Sequence, residues 1–405
     1  MQISEVTIGK IATITMGTSP KGETYNNEGI GIPLLNGPTE FGSIYPTCTL
    51  FTTDSKRDCK KDDLIFCVRG STTGRMNWAD KQYSLGRGVC SIRGATPMDT
   101  KYIRYCIELK LGALLKLSGG ATFPNLTGND LSTFPIPYSP HRHKIAAILS
   151  AYDDLIENNT QRIKILEEMA QALYRGWFVK FRFPGHEKVK MVESELGMVP
   201  EGWEIIKATD AIYVSPTTKV PKEGEKPFVS MGNLSNDSMF VNSFEYRSGN
   251  SGSKFKNGDT LFARITPCLE NGKTAYVQFL PSNNDIAFGS TEFIVLRSKT
   301  LCSELVYLMA RSNEFRDNAI KSMSGATGRQ RVQEACFDRF LFAHPYSKII
   351  SAFAEHVSPL LQNAYILNKK SANLRRTRDL LLPKLISGEV DVEKIDVQMP
   401  ENGGA

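Results

Sequence analysis

Two stretches of this chain gather arginine, lysine and small hydroxyl side chains in turns that follow apolar, strand-like runs. VRGSTTGR supplies Arg69, Ser71, Thr72, Thr73 and Arg75, and ARITPCLENGK supplies Arg264, Thr266, Asn271 and Lys273. The glycine-bearing turns GATFPN and GATGRQR add Thr122, Asn125, Thr327, Arg329, Gln330 and Arg331. Arginine can donate two parallel hydrogen bonds to a guanine edge or grip a phosphate, and Ser, Thr and Asn serve backbone or base edges. That is the chemistry of DNA recognition rather than of bond making. The competing reading is that these are strand-connecting turns kept soluble by polar side chains.

Residue patterns for catalysis are missing. GKT at 272–274 has the end of a phosphate loop, but Pro267 stands where that loop needs glycine. No G-x-G-x-x-G follows a strand, and neither H-E-x-x-H nor G-x-S-x-G occurs. The tetrapeptides N-P-P-Y and D-P-P-Y of amino-methyltransferases are absent, and no carboxylate–lysine cluster reads as a nuclease. His141 and His143 lie two apart at a helix start, where a solvated terminus competes with a metal role, and Asp153 and Asp154 read as a solvated helix face. No metal site is expected, and the chain reads as a binding and scaffolding protein, not an enzyme.

The elements that must position the turns come in two copies. DDLIFCVRGSTTGR (62–75) matches GDTLFARITPCLENGK (258–273), and LGRGVCSIRG (85–94) matches FGSTEFIVLRS (288–298). The helical run KYIRYCIELK matches SELVYLMARS, and KLSGGAT (116–122) matches KSMSGAT (321–327). IGKIATIT, LIFCVRG and GVCSIRG read as strands. Each copy ends in a long amphipathic helix. Stepping by threes and fours from Ile145 gives Ile148, Tyr152, Leu155, Asn159, Arg162, Leu166, Met169 and Leu173, with seven of nine apolar. A shift of 205 residues gives Ile350, Phe353, Val357, Leu360, Ala364, Leu367, Ser371, Leu374 and Arg378, again seven of nine. A helix with a narrow apolar stripe needs a partner, and the two copies predict an antiparallel pair with a globule at either end. Such a pair would fix the distance between two half-sites on DNA, so a four-residue insertion at the linker or helix start is expected to move the half-sites apart.

The expected fold class is α+β: two tandem similar α/β-mixed globular domains, each followed by a long helix, the helices pairing as an antiparallel coiled coil with pseudo-two-fold symmetry. The expected boundaries are a first recognition domain at 1–140, a first spacer helix at 141–180, a linker at 181–204, a second recognition domain at 205–344, a second spacer helix at 345–390 and a flexible tail at 391–405. Length alone calls for more than one core, at 405 residues. The net charge of +6 suits a nucleic-acid partner without requiring one. Eight scattered cysteines with no C-x-x-C pair suggest a reduced compartment, and no signal pattern or apolar run of membrane length occurs. A cytoplasmic protein is the expectation.

Four further segments carry a family resemblance: GATFPNLTGNDLSTFPIP before the first long helix, LEEMAQALYRGWFVKF at its end, LGMVPEGWE before the second globule, and TRDLLLPKLISGEVDV at the close of the second helix. In order and duplication the chain resembles the specificity subunit of type I restriction–modification systems. One departure is that no P-x-x-W lead-in precedes the first globule, as Pro200 and Trp203 precede the second. The resemblance implies two recognition domains that each read half of a split double-stranded DNA site. It implies two methyltransferase (modification) subunits and restriction (translocase/nuclease) subunits as partners. It places S-adenosylmethionine, ATP and Mg on those partners and no cofactor in this chain. Tyr174, Trp177 and Phe178 become candidate contacts for a modification subunit, or pack the rod against its own globules. The alternative function is a non-catalytic coiled-coil scaffold, or a DNA-binding protein outside restriction–modification.

Overall fold

The computed structural model describes residues 3–118, 124–221, 223–326 and 328–397. The chain divides into two compact units, Met1–Glu157 with Ala372–Ala405, and Asn158–Ser371. Each unit therefore takes its globule from one half of the sequence and its helical segments from both halves.

In the first unit a four-stranded sheet runs in the order Ala12–Met16, Val89–Gly94, Leu64–Cys67, Met76–Trp78. The second unit repeats it as Ile212–Val214, Phe293–Ser298, Thr260–Ala263, Thr274–Tyr276. All neighbours in both sheets are antiparallel. The central strands LIFC and TLFA are buried on both faces, which explains their unbroken apolar or small-residue runs. A second sheet joins each: Ile32–Leu35 pairs in parallel with Tyr83–Leu85, as Lys226–Val229 pairs in parallel with Ala287–Gly289.

A short two-stranded ladder closes each globule. Ser4–Thr7 pairs with Pro135–Tyr138, and Glu204–Lys207 pairs with Leu341–His344. The first globule thus begins on a ladder equivalent to that of the second, despite lacking the P-x-x-W lead-in. Ile8–Ile11, expected as the start of a strand, is one helical turn, matched by Ala208–Ala211. The Ile8 amide donates to the Phe134 carbonyl at 3.1 Å and the Ala208 amide to Phe340 at 2.9 Å, so the turn is pinned across the ladder in both copies.

The helix packed on the first sheet runs Pro97–Leu115, four residues earlier than the apolar spacing alone predicts. Its start is a capping box. Thr96 accepts from the Asp99 amide at 3.1 Å, and Asp99 accepts from the Thr96 amide at 3.1 Å.

The first long helix spans Arg142–Tyr174 and widens into a π-type turn over Arg175–Val179. The second spans Ser347–Ser387 and continues through Pro359 and Pro383, each of which removes one ladder hydrogen bond. In the first unit Asp153 of the first helix is ion-paired to Arg378 of the second, and Ile145 and Leu149 share a core with Leu382, Leu385 and Ile386. In the second unit Trp177 meets Phe353 at 5.5 Å and His356 at 5.6 Å. In the first unit one helix advances as the other retreats, so the pairing there is antiparallel.

The seam follows the other phase of the heptad in the first helix. The buried positions on this phase are Ile145, Leu149, Ile156, Asn159, Ile163, Ala170, Tyr174 and Trp177, with Ala146, Ala147 and Ser150 also buried near the start. Leu155 and Met169, predicted at the seam, are 54% and 48% exposed, and Arg162 is exposed as well. In the second helix Ile350, Phe353, Val357, Ala364, Leu367 and Ser371 are buried as predicted. Residues 391–397, expected within a free tail, are instead anchored. Val392 is fully buried, and the Lys144 ammonium donates to the carbonyls of Glu393 at 2.9 Å and Ile395 at 3.1 Å.

Candidate nucleic-acid interface

The turn after strand Leu64–Cys67 folds back through Gly74, whose φ of 95° favours a residue without a Cβ. Its amide donates to the Cys67 carbonyl at 2.9 Å. The second polar segment docks on this turn. Arg69 and Asn125 form a backbone bridge, and the Leu126 amide donates to the Val68 carbonyl at 3.0 Å. The side chains then lock together. Arg69 Nε donates to Asn125 Oδ1 at 3.0 Å, while Thr73 Oγ1 lies 2.8 Å from the Gly70 carbonyl and 3.0 Å from that of Pro124. Arg69, Thr73 and Asn125 are thus brought together, beside exposed Ser71. Thr72 sits half-buried, 3.9 Å from the Cys67 sulfur. Arg75 leaves the group, donating to the Pro38 carbonyl at 3.2 Å with its guanidinium 5.8 Å from the Phe41 ring. Thr122 lies outside the described residues.

The second unit rebuilds the same frame with different side chains. Ile265 and Arg331 form the backbone bridge, and the Val332 amide donates to the Arg264 carbonyl at 2.9 Å. The Thr266 amide donates to the Gln330 carbonyl at 3.1 Å, and the Gln330 amide returns to Thr266 Oγ1 at 3.1 Å. Arg264 Nη2 donates to the Val332 carbonyl at 3.3 Å and Nη1 lies 3.5 Å from Glu334 Oε1. Among the described residues its Nε is buried without a partner. Lys273 donates to the Met231 carbonyl at 3.0 Å, which ties it to the neighbouring loop. Asn271 and Arg329 are exposed at the rim, and Thr327 lies outside the described residues.

Two carboxylates at this surface went unread in the sequence. Glu292 accepts from Arg331 Nε at 3.0 Å and from Nη2 at 2.6 Å. Its hydrogen bonds from Arg331 hold it below the ordinary carboxylate range, against an opposing push from burial. Glu334 accepts from Ser215 Oγ at 3.3 Å and faces Arg264. In the repeat Glu292 stands where the first copy has Gly88, so nothing in the first copy pointed to it. The Arg264 amide donates to the Glu292 carbonyl at 3.0 Å, as the Val68 amide donates to Gly88 at 2.9 Å.

Other candidates take structural roles. His143 Nε2 lies 2.8 Å from Asp99 Oδ1, and Arg142 Nε lies 2.7 Å from the same oxygen, so the histidine serves the capping carboxylate. Among the described residues no group of three or more His, Cys, Asp or Glu could hold a metal ion. Asp153 is not a solvated face. It accepts from Arg104 Nη1 at 2.7 Å and Tyr105 OH at 2.6 Å, and pairs with Arg378. Arg378, the last position of the second heptad series, thus serves that cluster. Tyr174 and Trp177 are 6% and 5% exposed inside the core of the second unit, while Phe178 stays half-buried, 4.7 Å from Phe353. Among the described residues no helix is long and apolar enough to cross a membrane.

The chain is similar to known proteins in sequence and in fold. Residues 2–168 match the family described as type I restriction modification DNA specificity domain. The MjaIX specificity subunit of a type I restriction enzyme from Methanocaldococcus jannaschii is 28% identical over 323 residues, 75% of this chain and 72% of the relative. A putative MjaX specificity subunit from the same organism is 35% identical over 175 residues, 42% of this chain and 41% of the relative. The crystal structure of the type I restriction–modification S subunit from M. genitalium aligns with a TM-score of 0.60 at 18% identity, covering 95% of this chain and 96% of that one. At that identity the likeness is one of fold.

Proposed function

We propose that the chain is a specificity subunit of a type I restriction–modification system and that it reads a bipartite double-stranded DNA site, one half with each globule. We take residues 1–140 and 205–344 as the two recognition domains. The observation that carries the reading is the repeated frame. Arg69 bridges Asn125 and Ile265 bridges Arg331 through matching backbone hydrogen bonds, while the side chains on the frame differ. One scaffold with two sets of side chains suits two different half-sites. The residues proposed at DNA are Arg69, Ser71, Thr73 and Asn125 in one domain, and Arg264, Thr266, Asn271, Lys273, Arg329, Gln330 and Arg331 in the other. Thr72 and Arg75 belong to the same turn as Arg69, and Thr122 and Thr327, also expected at DNA, lie outside the described residues.

Catalysis falls to partners in this reading. Two modification subunits bring S-adenosylmethionine, and restriction subunits bring ATP and Mg, all in the cytoplasm. Docking surfaces are available on the long helices away from the seam. Leu155 and Leu380 are 54% and 60% exposed in the first unit, and Ile165 and Met169 are 54% and 48% exposed in the second. Of the three aromatic candidates, Phe178 has the ring a partner could touch, and Tyr174 and Trp177 shape the surface from beneath.

The test is a domain exchange. Residues 1–140 are replaced by the matching segment of a relative with another specificity, and methylated adenines are mapped by single-molecule sequencing in a strain carrying the modification subunits. One half of the motif is expected to change. A change in both halves, or in neither, removes the modular reading. Absence of any sequence-specific methylation with the unaltered chain favours the scaffold alternative.

A further inference from the structure

Arg331 and Glu292 form a pair whose geometry leaves one particular edge of the guanidinium open. Arginine has five N–H groups: one on Nε and two on each Nη. Glu292 takes the Nε side, accepting from Nε at 3.0 Å and from Nη2 at 2.6 Å. Among the described residues, the far edge, formed by Nη1 and the second N–H of Nη2, carries no hydrogen bond. That edge is a two-pronged donor matched to the O6 and N7 acceptors of guanine in the major groove. The pair sits at the rim, with the Arg331 side chain 49% exposed and Glu292 22% exposed. A surface ion pair in that setting adds little stability, so its worth lies in holding a long side chain in one pose before anything binds.

The other domain repeats the device with different residues. Arg69 lies on the equivalent bridge, and Asn125 Oδ1 occupies its Nε at 3.0 Å. The two arginines stand on opposite members of the bridge, yet each is held at Nε, Arg69 by Asn125 and Arg331 by Glu292, and among the described residues neither has a hydrogen bond to its terminal prongs. Two independent occurrences on one repeated frame argue against an incidental surface contact.

We infer that Arg331, held by Glu292, reads a guanine in the half-site of the second domain, with Arg331 the base-contacting residue and Glu292 a positioning residue. This rests on the bipartite DNA reading proposed above. The guanine's N7 and O6 accept from Nη1 and Nη2, while the Glu292 carboxylate fixes the plane of the fork. Loss of the fork removes discrimination at one base pair and leaves the rest of the motif intact.

The experiment uses the full chain with its modification subunits. Methylated adenines are mapped for the wild type, Arg331→Lys, Arg331→Ala and Glu292→Gln. The wild-type motif is expected to contain a guanine, on either strand, in the half read by residues 205–344. Both arginine variants are expected to relax that position by roughly ten- to a hundredfold, with the other half unchanged. Glu292→Gln is expected to relax the same position less, since the amide still accepts from Nε, whereas a merely structural role would alter yield and not base preference. A second measurement avoids any folding defect: binding of the wild-type complex to duplexes in which each guanine of that half-site is replaced in turn by 7-deazaguanine. One replacement is expected to weaken binding about tenfold, because N7 no longer accepts. A half-site without guanine, wild-type binding indifferent to every replacement, or an arginine variant that leaves the motif unchanged or alters the other half overturns the inference. Failure of the wild-type complex to methylate any bipartite motif overturns the premise beneath it.

Discussion

Asp259 takes two parallel hydrogen bonds from Arg297, 2.7 Å from Nε and 2.7 Å from Nη2, with its own side chain 1% exposed. Asp63 and Arg93 repeat the pair at 2.5 and 2.6 Å. Each aspartate also accepts from a backbone amide three residues before it, Lys256 and Lys60, at 2.8 Å in both cases. The two pairs fix the turn that leads into each central strand. They sit on the same strands of both four-stranded sheets, so they mark the duplication more sharply than sequence identity does.

Removing Asp259 strands Arg297, whose side chain is only 19% exposed. Asp259→Ala is expected to cost about 3–5 kcal/mol in denaturant unfolding. Asp63→Ala is expected to cost less, because Arg93 is 37% exposed and reaches water. Equal costs would show that solvent access at the arginine does not set the penalty.

Asp153 joins the two long helices of the first unit to the helix Pro97–Leu115. Burial alone would raise its carboxyl, but Arg104, the Tyr105 hydroxyl and Arg378 together bring it below the ordinary range. A depressed folded value stabilises the ionised form. The contribution is complete above the ordinary value of about 4 and is lost as pH falls through the lower folded value. Asp153→Asn is therefore expected to lower stability at neutral pH by about 2–3 kcal/mol and to flatten the acid side of the stability profile. Unfolding curves collected from neutral to acid pH check both, and a variant with the wild-type acid slope would place that slope elsewhere.

Glu167 behaves in the opposite sense. It faces a cavity of about 250 Å³ lined also by Asp237, Tyr307 and Arg311, and accepts from the Met239 amide at 2.7 Å. Burial pushes it up to about 7, against the Met239 amide and Arg311, which lower it. With the folded value raised, stability falls as pH climbs from the ordinary glutamate value of about 4.3 to that of the folded state, and is flat above it. Glu167→Gln keeps an acceptor for Met239 and removes the charge. It is expected to gain about 2–3 kcal/mol over wild type at pH near 8 and nothing near pH 4, read from paired denaturation curves. A gain independent of pH would mean the carboxyl does not titrate in this range.

Much of this was legible from residue types. The duplicated runs located both central strands, since LIFC and TLFA must be buried on two faces. The paired polar turns could be placed side by side because they recur at equivalent points of both copies. What stayed hidden depended on contacts between distant segments. Glu292 reads as a solvated turn residue until Arg331 arrives from 39 positions later. Asp153 reads as helix surface until Arg104 and Arg378 close over it, 49 and 225 residues away. The phase of the first seam is a different kind of miss. Heptads admit two stepping orders from Ile145, and they share only every second position. Taking the four-residue step first selects Leu149, Ile156, Ile163 and Ala170, which leaves Asn159 the sole polar seam residue through Leu173. The better count was present in the sequence, and the exclusion of Arg162 was its clearest sign.

The phase makes opposite predictions for two adjacent residues. Ile156 is 9% exposed on the seam, whereas Leu155 is 54% exposed beside it. Truncating a buried isoleucine removes its packing and leaves a cavity, so Ile156→Ala is expected to cost about 2–4 kcal/mol. Leu155→Ala is expected to stay within about 0.5 kcal/mol of wild type. Its effect belongs to assembly: loss of an exposed apolar contact should weaken capture of a modification subunit, measured by titrating the purified subunit against the full chain. If Leu155→Ala destabilised the chain and Ile156→Ala did not, the seam would run through the other phase. If Leu155→Ala changed neither stability nor assembly, the modification subunit would have to dock elsewhere on the helices.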